Sequence, residues 1–173
     1  MKILFANIGW MSHYQGITEA DKIKGGGSYY PEGKHEAHNF KAIDGICYGY
    51  VEPPRHTQIN LCRIDSKCER TADVIKDVLV IWVSSHPKIK GTYIVGWYKN
   101  ATVYSHFQDI NEEKRRCHPY NITADVKDCR LLPLDKRTFQ VPRANKKGKG
   151  FLGQANVWYA DSSLPEVKKL KRK

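Results

Sequence analysis

The sequence is poor in the features that mark several large protein classes. It has no apolar run near the roughly 20 residues that a membrane-spanning helix needs, so integral helical membrane proteins drop out. The start, Met1 to Asn7, has one lysine and too short an apolar core for a secretory signal, which points to the cytosol. There is no C-x-x-C pair. The five cysteines (Cys47, Cys62, Cys68, Cys117, Cys129) are an odd number, which argues against both a secreted disulfide framework and a zinc ribbon, and buried thiols are expected. Negative charge is also scarce: 18 Asp+Glu stand against 29 Lys+Arg, giving a formal net charge of +11 over 173 residues. A surplus of that size makes a polyanion, nucleic acid above all, the expected partner, against the plainer reading of a basic protein whose charge only keeps it in solution.

A catalytic set is equally absent. None of the histidines (His13, His35, His38, His56, His86, His106, His118) stands in a recognisable spacing with a nucleophile or with two further metal ligands. His35-Glu36-Ala37-His38 is one residue short of the H-E-x-x-H zinc helix and implies no third ligand. Gly25-Gly26-Gly27-Ser28 lacks the lysine and the preceding apolar strand of a phosphate loop. The expectation is a binding module without metal or cofactor, not an enzyme.

What is present is strand sequence. β-Branched and aromatic residues cluster in runs bounded by Gly, Pro, Asn and Asp, predicting strands over 2–8, 45–51, 58–64, 77–84, 92–98, 101–107, 120–126 and 155–160. Val78 to Val83 is continuously apolar, as a central strand covered on both faces would be. The segments at 77–84 and 92–98 read as a hairpin, and a turn at Lys99-Asn100 extends it to a meander. Helix signals are short: 18–24 with Thr18 as cap, 109–116, and the Pro165-Glu166 start of 164–173. Arg143 to Gly150 reads as a flexible Gly/Lys-rich loop. The fold class expected is mainly β with short helices (α+β), a small, partly open barrel.

Aromatic residues beside glycines are the candidate binding feature. Trp10 follows Gly9, Tyr29 and Tyr30 follow the triple glycine, and Trp97 and Tyr98 follow Gly96. Such rings form either a cage or core filler, the latter above all for Trp82 inside its apolar run. Combined with a basic surface, a cage suits a base lifted out of its stack, since stacking on a ring is worth about 1–3 kcal/mol per base and lysines follow the phosphates. Glu36 and Asn39 supply acceptors for the amino group of a cytosine edge.

The same residues carry a family resemblance. Ile3-Leu4-Phe5-Ala6-Asn7-Ile8-Gly9-Trp10-Met11, Gly25-Gly26-Gly27-Ser28-Tyr29, His35-Glu36 with Asn39-Phe40, Val95-Gly96-Trp97-Tyr98-Lys99-Asn100-Ala101-Thr102-Val103-Tyr104, and Gly153-Gln154 with Trp158-Tyr159-Ala160-Asp161 are similar to the N-terminal EVE-like domain of EVE-HNH endonucleases. The resemblance implies a PUA-like barrel, residues 1–163, that reads 5-methyl- or 5-hydroxymethylcytosine in double-stranded DNA by base flipping. It implies a bacterial, cytoplasmic, modification-dependent restriction enzyme whose HNH nuclease lies beyond 164–173, the expected start of a linker or helix. No HNH motif occurs in these residues, so this chain is expected to bind and not to cut. In the related YTH readers one pocket wall is a tryptophan, and Tyr29 or Tyr30 falls in a similar place. The resulting base-binding set is Trp10, Tyr29, Tyr30, Glu36, Asn39, Trp97 and Tyr98, and the phosphate-binding set Lys99, Lys146, Lys147 and Lys149. Two other readings remain: an RNA-binding PUA- or YTH-like domain that reads a modified base, and a complete nuclease of unfamiliar type.

Overall fold

The longest apolar run does become the middle of the fold. The computed structural model describes residues 1–25, 35–53, 57–109 and 118–171. In chain order its strands are β1 (Ile3–Ile8), β2 (Ala42–Ile43), β3 (Ile46–Gly49), β4 (Val74–Ser85), β5 (Thr92–Gln108), β6 (Tyr120–Asp125), β7 (Cys129–Leu131), β8 (Gln140–Val141) and β9 (Val157–Trp158). Among the described residues three short α-helices accompany them, α1 (Leu61–Ile64), α2 (Ala144–Lys147) and α3 (Pro165–Leu170), with 3-10 turns at His35–His38, Val126–Asp128 and Leu134–Lys136. The strands form one mixed sheet in the order β2-β3-β6-β5-β4-β1-β9, while β7 and β8 also pair with β5. The sheet does not close, so the fold is a mainly-β, α+β, partly open barrel.

Strand β4 lies between β1, parallel to it in the register Ile3↔Leu79 to Ile8↔Ser84, and β5, antiparallel to it. Side chains alternate faces along a strand. Leu4, Ala6, Ile8, Val78, Val80 and Trp82 therefore turn into one core, while Ile3, Phe5, Leu79 and Ile81 turn into a second. Burial on both faces is the physical reason that these strands read as unbroken apolar sequence. Gly49 lets β3 close onto the first core, because a Cβ there would lie 2.6 Å from Cζ2 of Trp82.

The far edge of β5 is shared, successively, by β8 at Thr92-Tyr93, β7 at Gly96 to Tyr98 and β6 from Thr102. The turn expected at Lys99-Asn100 is absent, and β5 runs through it. Asn100 instead takes a left-handed φ of 50°, near Asp77 at 60° on β4, where the register shifts on either side of Val78↔Ala101. Asn and Asp tolerate that conformation, so the polar pair makes an irregularity within two long strands and not a chain reversal.

The predicted strand at 58–64 holds α1 instead: Leu61 and Ile64, three apart, are both buried, which is helical spacing. The predicted helix at 18–24 is a closed turn. Asp21 N–H donates to Thr18 Oγ1 (3.0 Å), and the Asp21 carboxylate accepts from the amides of Ser12 (2.7 Å) and His13 (2.8 Å), so it holds the loop after β1 rather than starting a helix. Most of the predicted helix at 109–116 lies outside the described residues. The stretch 143–150, expected as loop, contains α2. Helix α3 falls where the final helix was expected, and its Val167 is fully buried in the second core, so the packed unit extends past 163. Of the cysteines described, Cys47 is buried and Cys62, Cys68 and Cys129 are half-buried. No helix among the described residues is long and apolar enough to cross a membrane.

Candidate nucleic-acid interface

The segment that leaves β1 is built around Gly9 and Trp10. A Cβ on Gly9 would run into the side chain of Ile23, 3.3 Å from the Gly25 carbonyl oxygen and 3.6 Å from Oε1 of Glu36. Trp10 and Lys24 exchange both main-chain hydrogen bonds at 2.9 Å. Tyr14, at a left-handed φ of 53°, folds back so that its hydroxyl donates to the Gly9 carbonyl (2.7 Å), and burial pushes that phenol's pKa well up. The Trp10 ring, 7% exposed, lies between His86 (centroids 4.5 Å apart) and the Arg137 guanidinium (5.1 Å). Arg137 is itself buried, and donates to the carbonyls of Leu132 (2.9 Å), Met11 (2.6 Å) and Ser12 (2.8 Å). Burial draws its pKa down, with Tyr14 and Asp21 opposing that shift, and a guanidinium stays charged throughout.

The structure divides the predicted base-binding set. Glu36, buried in the 3-10 turn His35–His38, lies beside Gly9, the residue before Trp10. Tyr29 and Tyr30 lie outside the described residues. Trp97 stands opposite Ile81 on β4, on the face of the second core, whereas Trp10 belongs to the first. A cage with Trp10 and Trp97 as two walls is therefore not assembled. Tyr98 is corrected to a core ring: it is fully buried, edge-on to Trp82 (5.2 Å) and Phe40 (5.4 Å). The glycines beside the tryptophans admit the protein's own core, Ile23 at Gly9 and Phe40 at Gly96.

Asn39 is also corrected. It is fully buried, and its amide oxygen accepts from Tyr50 N–H (2.9 Å) while its amide nitrogen donates to the Tyr50 carbonyl (3.0 Å), which mimics a neighbouring strand. Asn121 does the same for Val51, at 3.1 and 2.7 Å. With both ends committed, Asn39 has structural work and no free base-reading edge. Asn39→Ala is expected to lower the unfolding free energy by about 2–3 kcal/mol, since it strands a buried donor and a buried acceptor. Urea denaturation measures this, and a change under 0.5 kcal/mol, about that of a neutral surface substitution, would contradict the assignment.

Beside Trp10 the surface opens into a cleft of about 400 Å³. One wall is the end of the β4–β5 hairpin with Ser85, His86, Lys90 and Thr92; the other is Gln140 to Arg143 and the α2 residues Asn145, Lys146 and Lys147. The β5–β8 pair Thr92↔Val141 brings these walls together across some fifty residues of chain. Among the described residues no carboxylate lines the cleft. Arg143 is half-buried there, burial lowers its pKa, and among the described residues its side-chain hydrogen bond is to Thr92 Oγ1 at 3.5 Å, with no acidic partner. Nδ1 of His86 accepts from the amides of Lys88 (3.0 Å) and Ile89 (2.9 Å), so the neutral ring carries its proton on Nε2.

Of the predicted phosphate-binding lysines, Lys146 and Lys147 line this cleft and Lys149 is exposed just past α2. Lys99 is exposed seven residues beyond Thr92 on β5, about 23 Å along the strand, and stands apart. Arg143, Lys90 and His86 lie outside the set expected from the sequence. Only the strand pairing gathers them, and no local motif marks them. Among the described residues no group of three or more His, Cys, Asp or Glu is arranged to hold a metal ion. His35 and His118 hydrogen-bond through their Nδ1 atoms (2.9 Å), and His38 stacks on His118 (4.5 Å). No family model matches the chain, and no curated protein or solved structure matches it.

Proposed function

We propose that this chain is a DNA-reading module, an EVE-like domain of the PUA superfamily that recognises 5-methyl- or 5-hydroxymethylcytosine in duplex DNA by taking the base out of its stack. In this reading it is the cytoplasmic specificity domain of a bacterial, modification-dependent HNH endonuclease, and cutting belongs to a nuclease domain outside these residues. The observation that carries the proposal is the cationic cleft beside Trp10. A half-buried guanidinium and three lysines, with no carboxylate lining the cleft among the described residues, form a site that an anion completes, and a phosphodiester backbone is the anion that a net charge of +11 attracts. Glu36, held beside Gly9, supplies a carboxylate suited to the amino group of cytosine.

Matched duplexes with C, 5-methyl-C or 5-hydroxymethyl-C at one position test the reading. The expected result is tighter binding to a modified duplex, with RNA of equal length a poor competitor. Equal affinity for all three duplexes would remove the modified-base reading, and preferential displacement by RNA would replace DNA with RNA.

A further inference from the structure

The hairpin between β4 and β5 presents an apolar side chain to solvent on a stiff mount. Its base is closed by the Ser85↔Thr92 pair and by the bond from His86 N–H to the Gly91 carbonyl (3.1 Å). Inside the loop the His86 ring accepts two amides, those of Lys88 and Ile89, so the main chain at the tip is held from within. The same ring packs on Trp10 and on Tyr93 (6.1 Å), which ties the tip to the segment that leaves β1. At the tip Ile89 is 59% exposed, between the exposed Lys88 and Lys90, and Lys90 lines the cationic cleft.

An isolated exposed isoleucine needs no explanation. This one sits on a braced loop, flanked by cations, next to a site suited to phosphates. A duplex from which a base has been extruded has a gap between two stacked neighbours, and an apolar side chain recovers part of the stacking lost there. We propose that Ile89 is that wedge: it enters the duplex at the position vacated by the flipped nucleotide, while Lys88 and Lys90 meet the flanking phosphates. This rests on the duplex-reading function proposed above. The ring of His86, packed on the buried Trp10, then fixes where the wedge stands relative to the cationic cleft.

The test compares the wild-type chain with Ile89→Ser and Ile89→Leu on a duplex and on a single strand that carry the same modified cytosine. A single strand has no gap to fill. Ile89→Ser is expected to bind the duplex about tenfold more weakly and the single strand within about twofold of wild type, while Ile89→Leu keeps the duplex affinity. Unchanged circular dichroism confirms that each variant is folded, as expected for a side chain in solvent. Equal losses on both substrates, or no loss on either, overturn the wedge and leave the reading intact. A wild-type chain that does not distinguish modified from unmodified duplex overturns the reading, and the wedge with it.

Discussion

Replacing Arg137 by methionine is expected to lower the free energy of unfolding by about 3–5 kcal/mol, the largest effect of any single side chain named here. The reasoning starts from three main-chain carbonyls, of Met11, Ser12 and Leu132, which accept from three different nitrogens of one buried guanidinium. A planar fork with donors in several directions meets all three at once, and no other side chain does. Methionine keeps much of the volume against Trp10 and Tyr14 but leaves those oxygens without donors, each at about 1–3 kcal/mol. Removing the charge also removes its own burial penalty, which holds the net loss toward the lower part of the range. For a chain of this length the change amounts to a fall in Tm of about 10 °C. Urea denaturation should show a lower midpoint with an unchanged slope, since the surface exposed on unfolding stays the same. Arg137→Lys should recover little, because one ammonium cannot span the three oxygens. A loss under 1 kcal/mol would mean that the Met11-Ser12 segment holds its place by packing alone.

Arg137 also shows where sequence reading reaches its end. It stands in Leu134-Asp135-Lys136-Arg137, a polar stretch with no periodicity, and two of its three partners are main-chain atoms more than a hundred residues earlier. Nothing local distinguishes it from Lys136, which is exposed. The strands were legible for the opposite reason. Those of β1 and β4 have both faces buried, so hydrophobicity alone marks them, and β3 and β6 fall inside segments bounded by turn residues. Where two physical explanations share one signature the reading failed. Lys99-Asn100 has turn composition, yet Asn at positive φ serves an irregular strand as well as a reversal. Leu61 and Ile64 satisfy a helix face, but beside Ile59 the sequence also suits alternation. The pairs β2, β7 and β8 are two or three residues long, too short to carry a period.

The candidate site was legible in composition and not in arrangement. Gly9-Trp10 and Gly96-Trp97 look alike as dipeptides, but the alternation of β5 against β4 sends Trp97 to the face away from Trp10, and in both cases the glycine makes room for the protein's own core. Charge told more than aromaticity. Lys146 and Lys147 were named from a basic run, and pairing of β8 with β5 sets them opposite Lys90 and His86.

Removing three of the four cations of this cleft together, with Arg143→Ala, Lys146→Ala and Lys147→Ala, is expected to weaken DNA binding about a hundredfold or more near physiological salt. Each phosphate contact releases condensed counterions, so each lost contact reduces the slope of log K against log salt by about 0.9, and three by about 2.7. The affinity deficit should therefore shrink as salt rises, because wild type loses its advantage first. Preference for modified over unmodified cytosine should not change, since phosphate contacts position the duplex and carry no base information. Stability should hold or rise: the two lysines are exposed, and Arg143 is partly desolvated with no acidic partner among the described residues, so its removal relieves repulsion among like charges. Lys99→Ala is the matched control. It removes one positive charge from the same chain, but at a site about 23 Å from the cleft along β5, and should change affinity less than twofold. If the triple variant and Lys99→Ala lose affinity equally per charge, net charge alone attracts the DNA, and the cleft has no special part. If only the triple variant loses both affinity and slope, the phosphates lie between the β4–β5 hairpin and α2, with the duplex axis passing over the tip that carries Ile89.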